Sequence, residues 1–368
     1  MAKAQETVLE INLNALEHNY RYLKSKISSK TKFLGVVKAY AYGSDAVAIA
    51  QKLVSVGADY LAVAYTDEGV ALRNAGIKIP ILVLHPQIVS FDTIIERCLE
   101  PNIYSERILT AFVTAAERHQ QKNYPVHLKF NTGLNRLGFN THDIPKITRE
   151  LAETSSIKVL SIFSHLAASE DVNEKEFTLS QIKSFHEICT QIDAALPYIP
   201  FKHLGNTSGI INYPEAHFDM VRSGIGLYGF GNDPIEDKNF IPIVTLKTNI
   251  SQIHYLKANE SVGYNRAFTS NSPIKTATLP LGHADGIGRE YGNGKGVVCI
   301  HGNYAPIIGN TCMDMIMVDV TAIDCHEGDE VIVFGEKPTA TEFAEGANTI
   351  SYEVLTGISQ RVKRVIIE

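Results

Sequence analysis

No apolar run in the sequence approaches the ~18 residues that a membrane-spanning helix needs. The first six residues also lack the apolar core of a secretion signal. Neither sign of charge is in large excess, since the sequence has 34 Lys and Arg residues and 40 Asp and Glu residues, a formal net charge of −6. This balance favours neither nucleic acid nor an anionic membrane as a partner. We therefore expect a cytoplasmic protein that binds neither.

Cysteine is scarce, and its spacing argues against a disulfide framework. The five cysteines are an odd number without a Cys-x-x-Cys pair, which is typical of free thiols in a reducing compartment. The thirteen histidines show no His-Glu-x-x-His or comparable metal-binding spacing. We expect no metal site.

The first two thirds of the chain have an alternating pattern. The 368 residues suffice for two domains, and 45% of them are hydrophobic, enough for a sizeable core. Short β-branched runs alternate with helical patterns, and the strand candidates are 33–37, 60–64, 81–84, 99–103, 126–130, 159–163, 201–204 and 220–222. Eight strands separated by helices favour an α/β fold of the (β/α)8 barrel type. A doubly wound sheet is the alternative that periodicity leaves open.

The pattern changes near Ile241. Alternating apolar runs punctuated by Gly and Pro follow, which predicts a second, mostly β domain. The segment 230–234, Phe-Gly-Asn-Asp-Pro, is predicted to be a linker. We expect an N-terminal strand in residues 1–12 that packs with the C-terminal domain, a barrel in residues 13–238 and a β domain in residues 239–368.

Lys38 directly follows the run 33–37, so it should lie at the carboxyl end of a strand, where barrel active sites lie. Desolvation there disfavours the ammonium form, as an imine-forming lysine requires. Taken alone, a solvated lysine is the more common case. Other polar side chains lie at the ends of strand candidates or shortly after them, namely Asn131, Arg136, His165, His203, Asn206 and Arg222. Their shared placement favours one site.

Residues 224–229, Gly-Ile-Gly-Leu-Tyr-Gly, match the dinucleotide pattern Gly-x-Gly-x-x-Gly. The match comes late in the alternating region and no crossover helix follows, so we discount that interpretation. A glycine-rich turn after a late strand can instead bind a single phosphate through its backbone amides.

Eight short motifs occur in a characteristic order. They are 37–43 (Val-Lys-Ala-Tyr-Ala-Tyr-Gly), 129–138 (Lys-Phe-Asn-Thr-Gly-Leu-Asn-Arg-Leu-Gly), 164–167 (Ser-His-Leu-Ala), 203–206 (His-Leu-Gly-Asn), 221–225 (Val-Arg-Ser-Gly-Ile), 282–286 (Gly-His-Ala-Asp-Gly), 312–314 (Cys-Met-Asp) and 352–354 (Tyr-Glu-Val). Together they resemble the motifs of the alanine racemases. These are pyridoxal-phosphate enzymes of fold type III with an N-terminal (β/α)8 barrel and a C-terminal β domain.

The resemblance implies a two-base reaction that interconverts L- and D-alanine. Lys38 would hold the cofactor as an aldimine and act on one face of the substrate, and Tyr264 of the partner subunit would act on the other. His165 and Arg222 would adjust the tyrosine, and Arg222 would donate to the pyridine nitrogen. The active unit would be a homodimer with shared sites, supplying D-alanine for peptidoglycan.

The resemblance also implies the binding residues. Arg136 and the Met313 amide would bind the substrate carboxylate. The further cofactor-binding residues would be Tyr42, His203, Asn206, Thr207, Ser208, Gly224, Ile225 and Tyr352.

The chain departs from the family pattern at Asn131, at His283, at Ser44-Asp45 and at Gln360. Asn131 stands where an Asp is usual, which leaves open whether Lys129 is carbamylated or an anion lies beside Arg136. His283 replaces a usual tyrosine at the substrate entrance. The alternatives are a serine or broad-specificity racemase, a non-catalytic pyridoxal-phosphate protein that resembles the barrel alone, and a decarboxylase, which expects an acidic partner at the pyridine nitrogen.

Overall fold

A computed structural model describes residues 6–231 and 235–368. Residues 1–5 of the predicted N-terminal segment and residues 232–234 of the predicted linker lie outside the described residues. The described chain groups into two compact units. One comprises residues up to Asn14, Tyr42–Asp45 and Pro242–Glu368, and the other comprises Ala15–Ala41 and Ala46–Ile241. We call them the β unit and the barrel unit.

The first elements of the described chain are strand β1 (Val8–Asn12) and helix α1 (Leu13–Ser25), and the barrel unit continues from α1 as repeated strand–helix pairs. The barrel strands are β2 (Lys32–Val36), β3 (Tyr60–Val63), β4 (Ile81–Val83), β5 (Glu100–Ile103), β6 (Tyr124–Lys129), β7 (Ile157–Phe163), β8 (Phe201–His203) and β9 (Met220–Ser223). The helices are α2 (Lys38–Gly43), α3 (Ala46–Ser55), α4 (Thr66–Asn74), α5 (Phe91–Glu96), α6 (Glu106–Arg118), α7 (Ile144–Ala152), α8 (Lys175–Ala195) and α9 (Thr207–Asn212).

All neighbouring barrel strands are parallel, and β2 pairs with both β3 and β9, so the barrel is closed. This confirms the predicted (β/α)8 barrel and excludes the doubly wound sheet, which stays open. Strands such as β3 and β4 are buried along their whole length, which explains why their sequences are continuous apolar runs.

Helix α2 is unusual because it is left-handed. Ala39, Tyr40, Ala41 and Tyr42 have φ between 53° and 56°, and Gly43 has φ 79°. Left-handed backbone costs roughly 1–2 kcal/mol for each residue with a Cβ, so it persists only where its surroundings hold it. This strained turn begins at Lys38.

The β unit contains, after β1, the strands β10 (Val244–Asn249), β11 (Gln252–Leu256), β14 (Ile274–Leu279), β15 (Val297–Ile300), β16 (Asn303–Ile308), β17 (Ile316–Asp319), β18 (Glu330–Phe334) and β19 (Lys363–Ile367). Together with β1 they form a nine-stranded sheet with the order β11-β14-β17-β16-β15-β18-β10-β1-β19. A separate ribbon pairs β12 (Ser261–Val262) with β13 (Phe268–Thr269), and two short helices, α10 (Ala340–Gly346) and α11 (Ser351–Gly357), precede β19. Strand β1 lies between β10 and β19.

Within residues 6–231 and 235–368, no helix is long and apolar enough to cross a membrane. In the same ranges, no group of three or more His, Cys, Asp or Glu side chains is placed to hold a metal ion.

Candidate active site

Lys38 lies at the carboxyl end of β2, half-buried, at the first position of α2. Burial and the Arg136 charge lower the pKa of its amine, while the nearby Glu68 carboxylate opposes this change. A lowered pKa increases the neutral amine fraction, which is the form that can accept a proton or attack a carbonyl.

Glu68 stabilises the backbone next to Lys38. One carboxylate oxygen accepts from the N–H of Ala39 at 2.6 Å, and the other accepts from the N–H groups of Ala64 and Tyr65 at 2.7 and 3.0 Å. The same side chain therefore caps α4 and secures the start of the left-handed turn. The sequence patterns above did not point to this residue, although a glutamate in the first turn of a helix is a visible capping signal.

Lys38, Lys129, Arg136 and Arg222 form a cationic cluster in the barrel unit. Lys129 is buried at the end of β6, and burial, Arg136, Arg222 and Lys38 together lower its pKa to about 8. No acidic side chain contributes to that shift. Cations crowded together with so little negative charge favour an anionic ligand.

Arg222 is the third of the four residues of β9, and four acceptors hold its guanidinium in the barrel. Nη1 donates to His203 Nδ1 at 2.7 Å, and Nη2 donates to the carbonyl oxygens of Ser164 and Leu204 at 2.7 and 3.0 Å. Nη2 also lies 3.3 Å from His165 Nδ1. Burial lowers the pKa of Arg222 to about 9, still above neutrality, so the guanidinium stays cationic. The structure therefore brings together the predicted Arg222, His165 and His203.

The two histidines at this arginine are neutral. Burial and the charge of Arg222 lower the pKa of both His165 and His203 well below the ordinary value. A guanidinium only donates, so the nitrogen that faces it must be an acceptor in each ring.

Asn131 does not reach toward Lys129. Its Oδ1 accepts from the backbone N–H groups of Gly133 and Asn135 at 3.1 and 3.0 Å, and its Nδ2 donates to Asn135 Oδ1 at 2.9 Å. The amide therefore stabilises the loop that carries Arg136.

A turn after β9 and the start of α9 place several predicted cofactor-binding residues in the barrel unit. The N–H groups of Gly224 and Ile225 donate to no other described residue. Thr207 Oγ1 lies 3.0 Å from Ser223 Oγ and accepts from the N–H of Gly226 at 3.3 Å. The neighbouring Ser208 is buried, and Asn206 Oδ1 caps α9 by accepting from the Gly209 N–H at 2.9 Å. Unpaired amides and buried hydroxyls suit a phosphate.

The β unit holds the remaining predicted residues. Tyr42 and Tyr352 lie with their ring centroids 6.1 Å apart, and burial raises the pKa of Tyr42. Tyr264 and Met313 line one open groove of about 610 Å³, with 74% and 59% of their surface exposed. The described residues of this unit thus leave a tyrosine and a methionine uncovered on one face.

Two acidic residues and one arginine hold the loops beside this groove. Arg361 Nε donates to Asp285 at 2.6 Å, and its Nη2 donates to Asp314 at 2.5 Å. Asp285 also accepts from the Gly282 N–H at 2.8 Å. Arg361 therefore holds the loop of Met313 through the adjacent Asp314, and it holds the loop of His283 through Asp285.

The barrel unit is a closed parallel barrel with a half-buried lysine at a strand end, an arginine–histidine network and a turn suited to binding phosphate. These features define a class of lysine-dependent barrel enzymes. The family model for the N-terminal domain of alanine racemase matches residues 11–232, and the model for its C-terminal domain matches residues 243–366. The chain belongs to the alanine racemase family, whose members are pyridoxal-phosphate-dependent isomerases. The presence of both domains disagrees with the alternative of a barrel-only, non-catalytic protein.

Individual proteins agree with this assignment. The chain is 36% identical over 372 residues to alanine racemase 2 of Caldanaerobacter subterraneus subsp. tengcongensis, covering 98% of this chain and 95% of that one. The solved alanine racemase of Clostridium difficile 630 superposes with a TM-score of 0.92 at 34% identity, covering 100% and 97% of the two chains. That of Bartonella henselae, solved with covalently bound pyridoxal phosphate, has a TM-score of 0.90 at 28% identity, covering 99% and 100%.

Proposed function

We propose that this chain interconverts L- and D-alanine by moving the substrate Cα proton between two of its own side chains, Lys38 and Tyr264. The observation that carries the proposal is Lys38, half-buried at a strand end as a member of the cationic cluster, in a chain that belongs to the alanine racemase family. The reaction would supply D-alanine for peptidoglycan in the cytoplasm. The five unpaired cysteines suit that reducing compartment.

The residues of the barrel unit fit pyridoxal phosphate. Lys38 would hold it covalently, and the amides of Gly224 and Ile225 with the hydroxyls of Thr207 and Ser208 would bind its phosphate. Arg222, supported by His203, would donate to its ring nitrogen, and Asn206 would keep α9 in place. Tyr42 and Tyr352, paired in the β unit, would complete the phosphate contacts. When bound, the cofactor supplies the electron-withdrawing ring that makes the substrate Cα–H acidic.

Two side chains would move the proton. Lys38 would take or return it on one face of Cα, which its lowered pKa assists. Tyr264 of the partner subunit would do so on the opposite face, with His165 and Arg222 stabilising its charged form. A proton that leaves one face and arrives at the other inverts the configuration.

Substrate binding would use the remaining cations and the groove. Arg136 and the Met313 amide would bind the carboxylate of alanine. Lys129 would carry a carbamate or lie beside an anion that orients Arg136, because the cluster lacks negative charge. Tyr264, Met313 and Tyr352 would leave room for only a small side chain, so L-serine and L-lysine should turn over more slowly than L-alanine.

The roles of the two bases are tested by single substitutions. Lys38→Ala should abolish racemisation and the visible absorbance of the covalently held cofactor, whereas Lys78→Ala, at an exposed position, should change neither. Tyr264→Phe should slow solvent deuterium entry from L-alanine more than from D-alanine. Equal slowing from both enantiomers would contradict the two-base assignment.

The shared site is tested by mixing two inactive variants. In a mixed dimer of Lys38→Ala and Tyr264→Phe subunits, one of the two sites regains both natural residues if each site takes its tyrosine from the partner. Random 1:1 pairing should therefore restore about a quarter of the natural activity in a symmetric dimer. Activity that stays at the level of the separate variants, although native mass spectrometry shows mixed dimers, would overturn the shared site.

A further inference from the structure

Behind Arg222, a continuous row of buried polar side chains crosses the interior of the barrel unit. Each of the five strands from β5 to β9 contributes one residue, and the residues are Glu100, His127, Ser161, His203 and Arg222. His127, Ser161 and His203 are fully buried, and Arg222 and Glu100 are nearly so. Buried polar groups cost stability unless each has a partner, so the hydrogen bonds within the row need to be complete.

The distances show that the row is continuous. Arg222 Nη1 lies 2.7 Å from His203 Nδ1, and His203 Nε2 lies 3.0 Å from Ser161 Oγ. Ser161 Oγ lies 2.5 Å from His127 Nδ1, and His127 Nε2 lies 2.7 Å from Glu100 Oε2. Each of these contacts is within hydrogen-bonding distance.

With one proton on each imidazole, the two ends of the row determine the direction of every hydrogen bond in it. A guanidinium only donates, so His203 accepts at Nδ1 and carries its proton on Nε2, which donates to Ser161. The Ser161 hydroxyl is then free to donate to His127 Nδ1. His127 carries its proton on Nε2 and donates to Glu100, whose carboxylate only accepts. With a single proton on each ring, all four bonds run from the Arg222 guanidinium to the Glu100 carboxylate.

We propose that Glu100 is a positioning residue for Arg222: through His127, Ser161 and His203 it fixes the hydrogen-bond direction that orients the guanidinium. This rests on the proposed function in so far as Arg222 faces the cofactor ring. With Nη1 committed to His203 and Nη2 to backbone carbonyls, the Nε–H of Arg222 donates to no described residue and remains for the ring nitrogen.

Glu100 is the acidic end of the row, opposite Arg222. Its charge and hydrogen bond, after burial, raise the pKa of Tyr60. Loss of this acceptor would leave His127 Nε2 without a partner and would allow the proton of that ring to move to Nδ1. Ser161 would then accept from both histidines, and the fixed direction would be lost.

The experiment compares four variants with the natural holoenzyme. Glu100→Leu removes the acceptor, Glu100→Gln keeps an acceptor oxygen without the charge, and Ser161→Ala interrupts the row with the loss of one oxygen atom. Asn102→Leu is the matched control, because Asn102 is buried on the same strand but bonds to the carbonyl of Leu84 outside the row. Thermal midpoints report any general loss of stability.

The expected result has two parts. Nitrogen NMR of histidine-labelled protein, with and without cofactor, should show His203 and His127 protonated on Nε2, and His127 should move to Nδ1 in Glu100→Leu but not in Glu100→Gln. Glu100→Leu and Ser161→Ala should lower kcat roughly tenfold with little change in KM, as expected for loss of one charge-assisted hydrogen bond. Glu100→Gln should retain more activity than Glu100→Leu.

Two results would overturn the inference. One is a proton on Nδ1 of His203 in the natural protein, which contradicts the assigned direction whether or not the chain racemises alanine. The other is a kcat for Ser161→Ala and Glu100→Leu equal to that of Asn102→Leu. Failure of the natural protein to racemise alanine would instead refute the proposed function, and the histidine spectra of the cofactor-free protein would still decide the direction.

Discussion

The cationic cluster makes a quantitative prediction about Lys129 in the cofactor-free protein. Burial and three neighbouring cations lower the pKa of its amine from 10.5 to about 8. At pH 7 about 10% of such an amine is neutral, against roughly 0.03% of an ordinary lysine, a difference of about 300-fold. Because only the neutral amine reacts with acyl groups or with carbon dioxide, Lys129 should be the more reactive by a comparable factor, reduced by its burial.

Competitive acetylation followed by mass spectrometry measures this directly. Lys129 should label half-maximally near pH 8 in the cofactor-free protein, and the exposed Lys158 on β7 is the internal reference. With labelled bicarbonate, a carbamate carbon signal should be present in the natural protein and absent from Lys129→Met. Parallel labelling of the two lysines at every pH would refute the reasoning.

The lowered pKa of Lys129 should also make the free energy of unfolding of the cofactor-free protein depend on pH. Between about pH 8 and 10.5 the unfolded chain binds more protons at Lys129 than the folded one, so the free energy of unfolding should rise with pH there. Below pH 8 the buried charge costs about 3 kcal/mol. Lys129→Met should therefore stabilise the cofactor-free protein at pH 7 and lose this advantage as the pH approaches 10.5. An advantage independent of pH would contradict the shift.

Two further predictions concern the backbone around the site. Glu68→Ala leaves three backbone N–H groups without their acceptor, so we expect faster loss of the cofactor in gel filtration and a lower thermal midpoint. Glu68→Gln should partly restore both, and cofactor retention in Glu68→Ala equal to that of the natural protein would contradict this prediction. Gly282→Ala would press a Cβ against the carbonyl oxygens of Cys312 and Met313, and should lower the free energy of unfolding by about 1–3 kcal/mol in urea. Gly357→Ala, whose Cβ would meet nothing within 4 Å, is the control, and equal losses in both variants would count against the crowding argument.

The strand-end residues could be predicted because a barrel collects the carboxyl ends of its strands on one face. That rule places Lys38, His203 and Arg222 on one face of the barrel from their positions in the chain, and Arg222 and His203 do form a hydrogen bond. The rule does not select Glu100, because this residue is the first of β5 and does not follow the strand. His127 lies inside β6 rather than at its carboxyl end, so the same rule does not select it.

Other features depended on distant contacts. The left-handed turn at Ala39–Tyr42 contains no residue that prefers positive φ except the closing Gly43, so local sequence offers no reason to expect it. Glu68, far along the chain, supports its first N–H. The family motif 37–43 marked the segment but not its shape.

The sequence by itself determined the succession of strands and helices, the change to a β domain and the residue types available for chemistry, because hydrophobic periodicity and strand-end position are local properties of a chain. Only the tertiary structure decided which of those side chains meet, which are neutral and in which direction their hydrogen bonds run. The physical reason is that the burial of a side chain and the position of its proton depend on all of its neighbours at once. Arg222 and Glu100 become the two ends of one row only when the five strands from β5 to β9 lie side by side in the barrel.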